Sequence, residues 1–147
     1  MRQIPLTIVA LVTLLTPSVS WSNVDGKSLV CERVSNKKNY DFDRTVRASV
    51  QFYKFTGGFL YRQEFYLEYD KTLQLYNSIV GKYLVNHEYI TAEYFSLNRQ
   101  DLSLQGNWEG VYQCDVFISN REFDVELEKK RKWLMKWVNK ELKKNKI

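Results

Sequence analysis

From Ser28 to Ile118 the chain is cut about every ten residues by turn-forming residues, and no run between the cuts carries a helical repeat. That rhythm restricts the fold to short antiparallel strands joined by tight turns. Thr56-Gly57-Gly58 separates two strand-like runs, and a Gly pair supplies the positive φ that a two-residue hairpin needs. Its second arm, Phe59 to Tyr69, alternates most cleanly. Phe59, Tyr61, Phe65, Leu67 and Tyr69 share one face, and Leu60, Arg62, Glu64, Tyr66 and Glu68 share the other. The alternation predicts a half-buried strand with one side on the core and one in water, Glu64 and Glu68 being solvated.

Other runs follow the same grammar. Ser28 to Val34 reads as the first strand and Val46 to Phe55 as another, with Ser35–Asn39 a turn and Tyr40–Arg44 a loop or short edge strand. Asp70-Lys71 turns the chain into Leu73–Val80, which Gly81-Lys82 ends. Tyr83–Leu97 is too long for one strand and divides near Asn86-His87, its second piece spanning Tyr89–Leu97. Asn98–Asp101 is a polar turn, Leu102–Leu104 a short strand, Gly106-Asn107 a turn and Val111–Ile118 the last strand. The expected fold is mainly β: an antiparallel up-and-down barrel or curled sheet of seven or eight strands, with a sandwich as the other arrangement of such runs.

The C-terminal segment differs. Ser119-Asn120-Arg121-Glu122 fits a capping box, acidic residues fill the early turns and lysines the late ones, as the helix dipole favours. Phe123, Leu127, Leu134, Val138 and Leu142 fall on one stripe, widened by Trp133 and Trp137, with Arg131 at its edge. One α-helix over about 120–144 is predicted.

Residues 1–22 read as a signal peptide: Arg2, an apolar run from Ile4 to Leu15, then Pro17 and small residues. An uncleaved anchor is the alternative. Residues 23–147 then form a single domain behind a short polar leader, Asn23–Lys27, and the expected compartment is the bacterial periplasm. The two cysteines, Cys31 and Cys114, are an even pair in an exported chain, and a disulfide between them would join the first and last strands. Two buried thiols are the other reading.

Charge is unevenly placed. Residues 121–147 hold ten Lys+Arg and five Asp+Glu, hence +5, whereas residues 23–120 hold eleven and twelve, hence −1. Nucleic acid is therefore not an expected partner. Lys129, Lys132, Trp133, Lys136, Trp137 and Lys140 form a candidate membrane or partner surface, set against simple packing of the helix on the β-structure. His87, the single histidine, lies in an expected turn beside Glu88, with no nucleophile or acid that the sequence places near it. No Cys/His spacing suits a metal and no Gly-rich loop suits a phosphate, so no cofactor, metal or catalytic residue is expected. Ten Tyr and eight Phe either line a cup for an apolar or sugar ligand or fill a small barrel solidly. The functional expectation is a non-enzymatic binding or interaction protein whose ligand or protein partner is unspecified.

Tyr94, Leu97, Asn98, Arg99, Leu102, Leu104, Tyr112, Gln113 and Cys114 form a pattern that resembles small exported β-rich proteins of marine alphaproteobacteria, as does the ending Lys144-Asn145-Lys146-Ile147. That resemblance implies compartment and fold rather than an activity. The early and late cysteines on a β-rich chain also resemble periplasmic inhibitors of c-type lysozyme, small barrels whose first and last strands are tied by a disulfide. The Ser-Gly-x-x-Tyr segment that those inhibitors insert into lysozyme has no counterpart here, so this second resemblance implies architecture.

Overall fold

A computed structural model of the chain describes residues 23–34, 46–47, 49–106 and 110–144. The expected signal peptide, the Ser35–Asn39 turn, the Tyr40–Arg44 segment, Asn107 and residues 145–147 lie outside them. Nine strands form one sheet: β1 Ser28–Arg33, β2 Val50–Thr56, β3 Phe59–Leu67, β4 Leu73–Lys82, β5 Leu84–Val85, β6 Tyr89–Ala92, β7 Phe95–Asn98, β8 Ser103–Gly106 and β9 Gly110–Phe117. The helix α1 spans Asn120–Lys144.

The sheet order is β4-β3-β2-β1-β9-β8-β7-β6-β5, and every neighbouring pair is antiparallel. Nine strands alternating in direction leave the two end strands running the same way. Those ends are also consecutive in sequence, with Tyr83 alone between them. β4 and β5 are therefore two parts of one bent strand, the first paired to β3 and the second to β6. The nine segments trace eight alternating directions and make a near-closed up-and-down barrel. The first and last strands meet in its continuous wall, where Cys31 opposes Cys114. The seam lies mid-chain, where β4 and β6 approach without pairing.

Turn chemistry explains the hairpins. Gly57 and Gly58 both have positive φ (60° and 79°) and close Thr56 against Phe59, the backbone twist that a two-residue turn between strands favours. Asp70 accepts hydrogen bonds from the Thr72 amide and hydroxyl, supporting Lys71 at φ 68°. Asn98 Oδ1 accepts from the Gln100 and Asp101 amides.

The core has two layers. Inside the barrel lie Leu29, Cys31, Tyr53, Phe55, Leu60, Ile90, Phe95, Leu97, Leu104, Tyr112 and Cys114, so its interior is filled. Outside it, Phe123, Leu134 and Val138 of α1 press on Val30, Phe52 and Phe65. Phe52 meets Phe65 and Phe123 edge-on, at 5.5 and 6.1 Å. The Ser119 hydroxyl accepts from the Glu122 amide at 3.4 Å, which fixes the start of the helix where the capping residues predict it.

Four expectations need correction. On β3 the inward face is Leu60, Arg62 and Glu64: Tyr53 opposes Arg62 and Phe55 opposes Leu60, and both partners belong to the interior. Glu64 is accordingly only 8% exposed rather than solvated. The strand expected from Val46 begins at Val50; Val46, Arg47 and Ser49 are helical, with the Ser49 hydroxyl donating to the Val46 carbonyl. Tyr89–Leu97 is not one strand but a hairpin, β6 and β7, turning at Glu93-Tyr94. The polar leader is a built turn, with Val24 buried in the barrel end and the Gly26 amide donating to the Phe55 carbonyl.

Candidate functional site

The bend that leaves the seam open also creates a cleft there. Tyr53, Arg62, Ser78, Ile79, Val80, Glu93, Tyr94 and Phe95 line it, and its volume is about 230 Å³. β4 contributes one wall and the Glu93-Tyr94 turn the other. Tyr53 and Phe95, in edge contact at 4.9 Å, form its apolar base. Ile79 and Tyr94 stand at its mouth, 65% and 62% exposed.

Behind the cleft is a polar wedge set into the barrel wall. The Glu64 carboxylate accepts from the Arg62 guanidinium at 3.2 Å and from the Tyr66 hydroxyl at 2.5 Å. The Arg47 guanidinium lies over the Tyr66 ring at 4.9 Å. The Tyr53 hydroxyl donates to Gln51 Oε1 at 2.6 Å. A carboxylate this buried requires such partners, since an unpaired charge there would be strongly disfavoured. Burial, followed by the bond to Glu64, pushes the Tyr66 hydroxyl above its ordinary pKa, against the opposing effect of Arg47. Arg62 holds Glu64 through one nitrogen only, and its buried Nε has no acceptor among the described residues. The cleft thus has a guanidinium in its lining beside two rings. Its lining includes no imidazole; His87 is exposed in the β5–β6 loop.

That loop has a structural explanation. The Arg99 side chain donates to the Asn86 and His87 carbonyls, its amide donates to the Glu88 carbonyl, and Asn86 Oδ1 accepts from the Glu88 and Tyr89 amides. Arg99 and Asn98 are turn builders.

A second pin closes the lower end of the seam. The Tyr83 hydroxyl donates to Asp25 Oδ1, which also accepts from the Gly58 amide at 3.2 Å. Burial, and then this bond, push the Tyr83 hydroxyl up to about 12. The same partners hold the Asp25 carboxyl below its ordinary range. Because the folded-state value of Tyr83 is raised, its contribution to stability is complete below pH 10.0 and is lost as the pH climbs to about 12. Asp25, with a depressed value, contributes above pH 3.8 and fades as the carboxyl protonates below it. Tyr83→Phe is expected to remove the part of the alkaline loss that falls in the pH 10.0 to 12 window, read as unfolding midpoints across that range.

The helical candidate surface divides. Lys129, Lys132, Lys136 and Lys140 are exposed, and so is Trp133 at 54%. Trp137 instead packs, partly buried, on the outer core. Trp133 therefore leaves the packed stripe it was expected to widen, whereas Trp137 stays within it. Arg131 reaches the stripe's edge and forms two bonds of 2.7 Å to Glu128. The expected disulfide is present, Cys31 to Cys114, with Cα atoms 4.0 Å apart. Sequence reasoning missed Tyr53, Arg62 and Glu64 as a group, because no spacing in the chain announces which face of a strand turns inward.

The chain matches no protein-family model, no curated protein and no solved structure.

Proposed function

We propose that this is an exported, non-catalytic binding protein that takes a small ligand in the seam cleft. The observation that carries it is the cleft of about 230 Å³ that joins the Tyr53–Phe95 base to the Arg62 guanidinium. A ligand with a flat apolar body and an acceptor oxygen, such as an aromatic carboxylate, uses both features: the rings supply contact area and Arg62 a charge-assisted hydrogen bond. The filled interior rules the barrel out as a deep cup, so binding is lateral and shallow. The leader sequence supports export, and the disulfide suits an oxidising compartment.

Titration of the full chain with benzoate and with neutral benzyl alcohol, followed by amide NMR shifts, tests this reading. Benzoate is expected to move the amides of Tyr53, Arg62, Ser78–Val80 and Glu93–Phe95. Arg62→Met is expected to weaken benzoate about tenfold, as loss of a charged hydrogen bond does, and to leave benzyl alcohol unchanged. Shifts confined to other regions, or equal loss of both probes, would overturn it.

A further inference from the structure

The geometry points to a second working surface, independent of the cleft: we propose that the outer face of α1 docks the protein on an anionic phospholipid bilayer. Lys129, Lys132, Lys136, Lys140 and Lys143 repeat at three- and four-residue spacing, so they share one arc of the helix. That arc is opposite Leu134 and Val138, which are buried on the sheet, and all five lysines are exposed. It runs for about 21 Å at 1.5 Å per residue.

The arc is compensated only at its N-terminal end. After Glu128 the helix has a single carboxylate, Glu141, which is partly buried and pairs with Lys144 at 2.7 Å. Lys129 pairs with Glu126 and Lys132 reaches Glu128 at 3.9 Å, but Lys136, Lys140 and Lys143 have no carboxylate partner among the described residues. Lys130, by contrast, is turned inward between Glu32 and Glu126 and takes no part. Trp133 lies on the border of the arc and is 54% exposed, whereas Phe123, Leu134 and Val138 of the same helix are buried. An indole edged by lysines is the side-chain set of a helix lying in a headgroup layer: the ring enters the acyl boundary and the amines meet lipid phosphates.

The charge of the whole chain agrees. The body is near neutral and the excess lies in the tail, so the helix side would face a negative surface. No described helix is long and apolar enough to cross a membrane, and the lysine arc requires no crossing. Placement is compatible with ligand access. α1 packs on the wall formed by β1, β2 and β3, whereas the cleft opens at the seam between the two end strands. A protein resting on α1 presents its cleft to water.

The test follows Trp133 itself, so that binding by any other segment is told apart. The full chain is mixed with vesicles of phosphatidylcholine alone or containing phosphatidylglycerol, with brominated acyl chains as quenchers. Quenching lost in Trp133→Phe reports this residue. The expected result is Trp133 quenching on phosphatidylglycerol vesicles, reversed by high salt. The variant Lys132→Gln/Lys136→Gln/Lys140→Gln/Lys143→Gln is expected to partition about a hundredfold or more weakly, with unchanged near-UV circular dichroism. Equal binding to phosphatidylcholine, retention by the quadruple variant, or bound protein with Trp133 unquenched would each overturn the proposal. Retention on heparin with no vesicle binding would assign the arc to a soluble polyanion and overturn it as well.

Discussion

Replacing Cys31 and Cys114 together by alanine is expected to lower stability by about 4 kcal/mol. The bond closes a loop with a sequence separation of 83, and a cross-link of that span removes about this much chain entropy from the unfolded state. The β1–β9 ladder joins residues of similar separation, and the disulfide is its covalent member. The two residues sit opposite one another in the β1–β9 ladder, with side chains turned into the filled interior. Alanine leaves no unpaired polar group there, as serine would. In thermal unfolding the change is expected to appear as a midpoint lower by roughly 12 to 20 °C for a domain of this size. Reduced wild-type protein is expected to match the double variant. An unchanged midpoint would mean that residual structure already confines the unfolded chain as tightly as the covalent link does.

The parts of this architecture that depend on local chemistry were legible in the sequence. Gly57-Gly58 and Asp70-Lys71 mark turns because positive φ and a side-chain acceptor are residue properties. Ser119 and the acidic-to-basic gradient mark the helix for the same reason. The barrel and its disulfide followed from strand rhythm and cysteine position. What was not legible depends on which surface covers which. β3 is sandwiched between the interior and α1, so Phe65 on one face and Leu60 on the other are both buried, and a period of two cannot say which face is inward. Arg62 and Glu64 looked like a wet face because charged residues usually are one; their pairing with each other and with Tyr66 is a product of the β2–β3 register and the inward curl. The turn at Glu93-Tyr94 escaped because neither residue is a turn former, and Val24 because one valine in a polar stretch has no pattern. The cleft inherits all of this. Its residues come from four strands and a turn, and only the bend at Tyr83 brings them together.

Phe123→Ala is expected to cost about 3 to 5 kcal/mol, the range for removing a large ring from a packed site. Phe123 is fully buried where the helix first meets the sheet. Its ring contacts Phe52 and Phe117 edge-on at 6.1 and 6.2 Å, and the Lys54 amine lies 4.6 Å above it. The neighbours cannot collapse into the space, since Phe52 is also held by Phe65 at 5.5 Å and the β2 backbone is fixed in the wall. The ion pair beside it does not compensate. Lys54 and Asp124 are 3.7 Å apart with the carboxylate 67% exposed, a geometry worth little in water. Denaturant unfolding of Phe123→Ala measures the loss, and hydrogen exchange locates it: amides of the first helical turns are expected to lose protection before those around Leu134 and Val138. The loss should add to that of the disulfide variant, because the cysteines act inside the barrel and chiefly on the unfolded chain, whereas Phe123 acts outside it on native packing. Strong coupling between the two would instead show that α1 holds β1 and β9 together. The helix would then be a structural brace for the closure as well as the proposed lipid-facing surface.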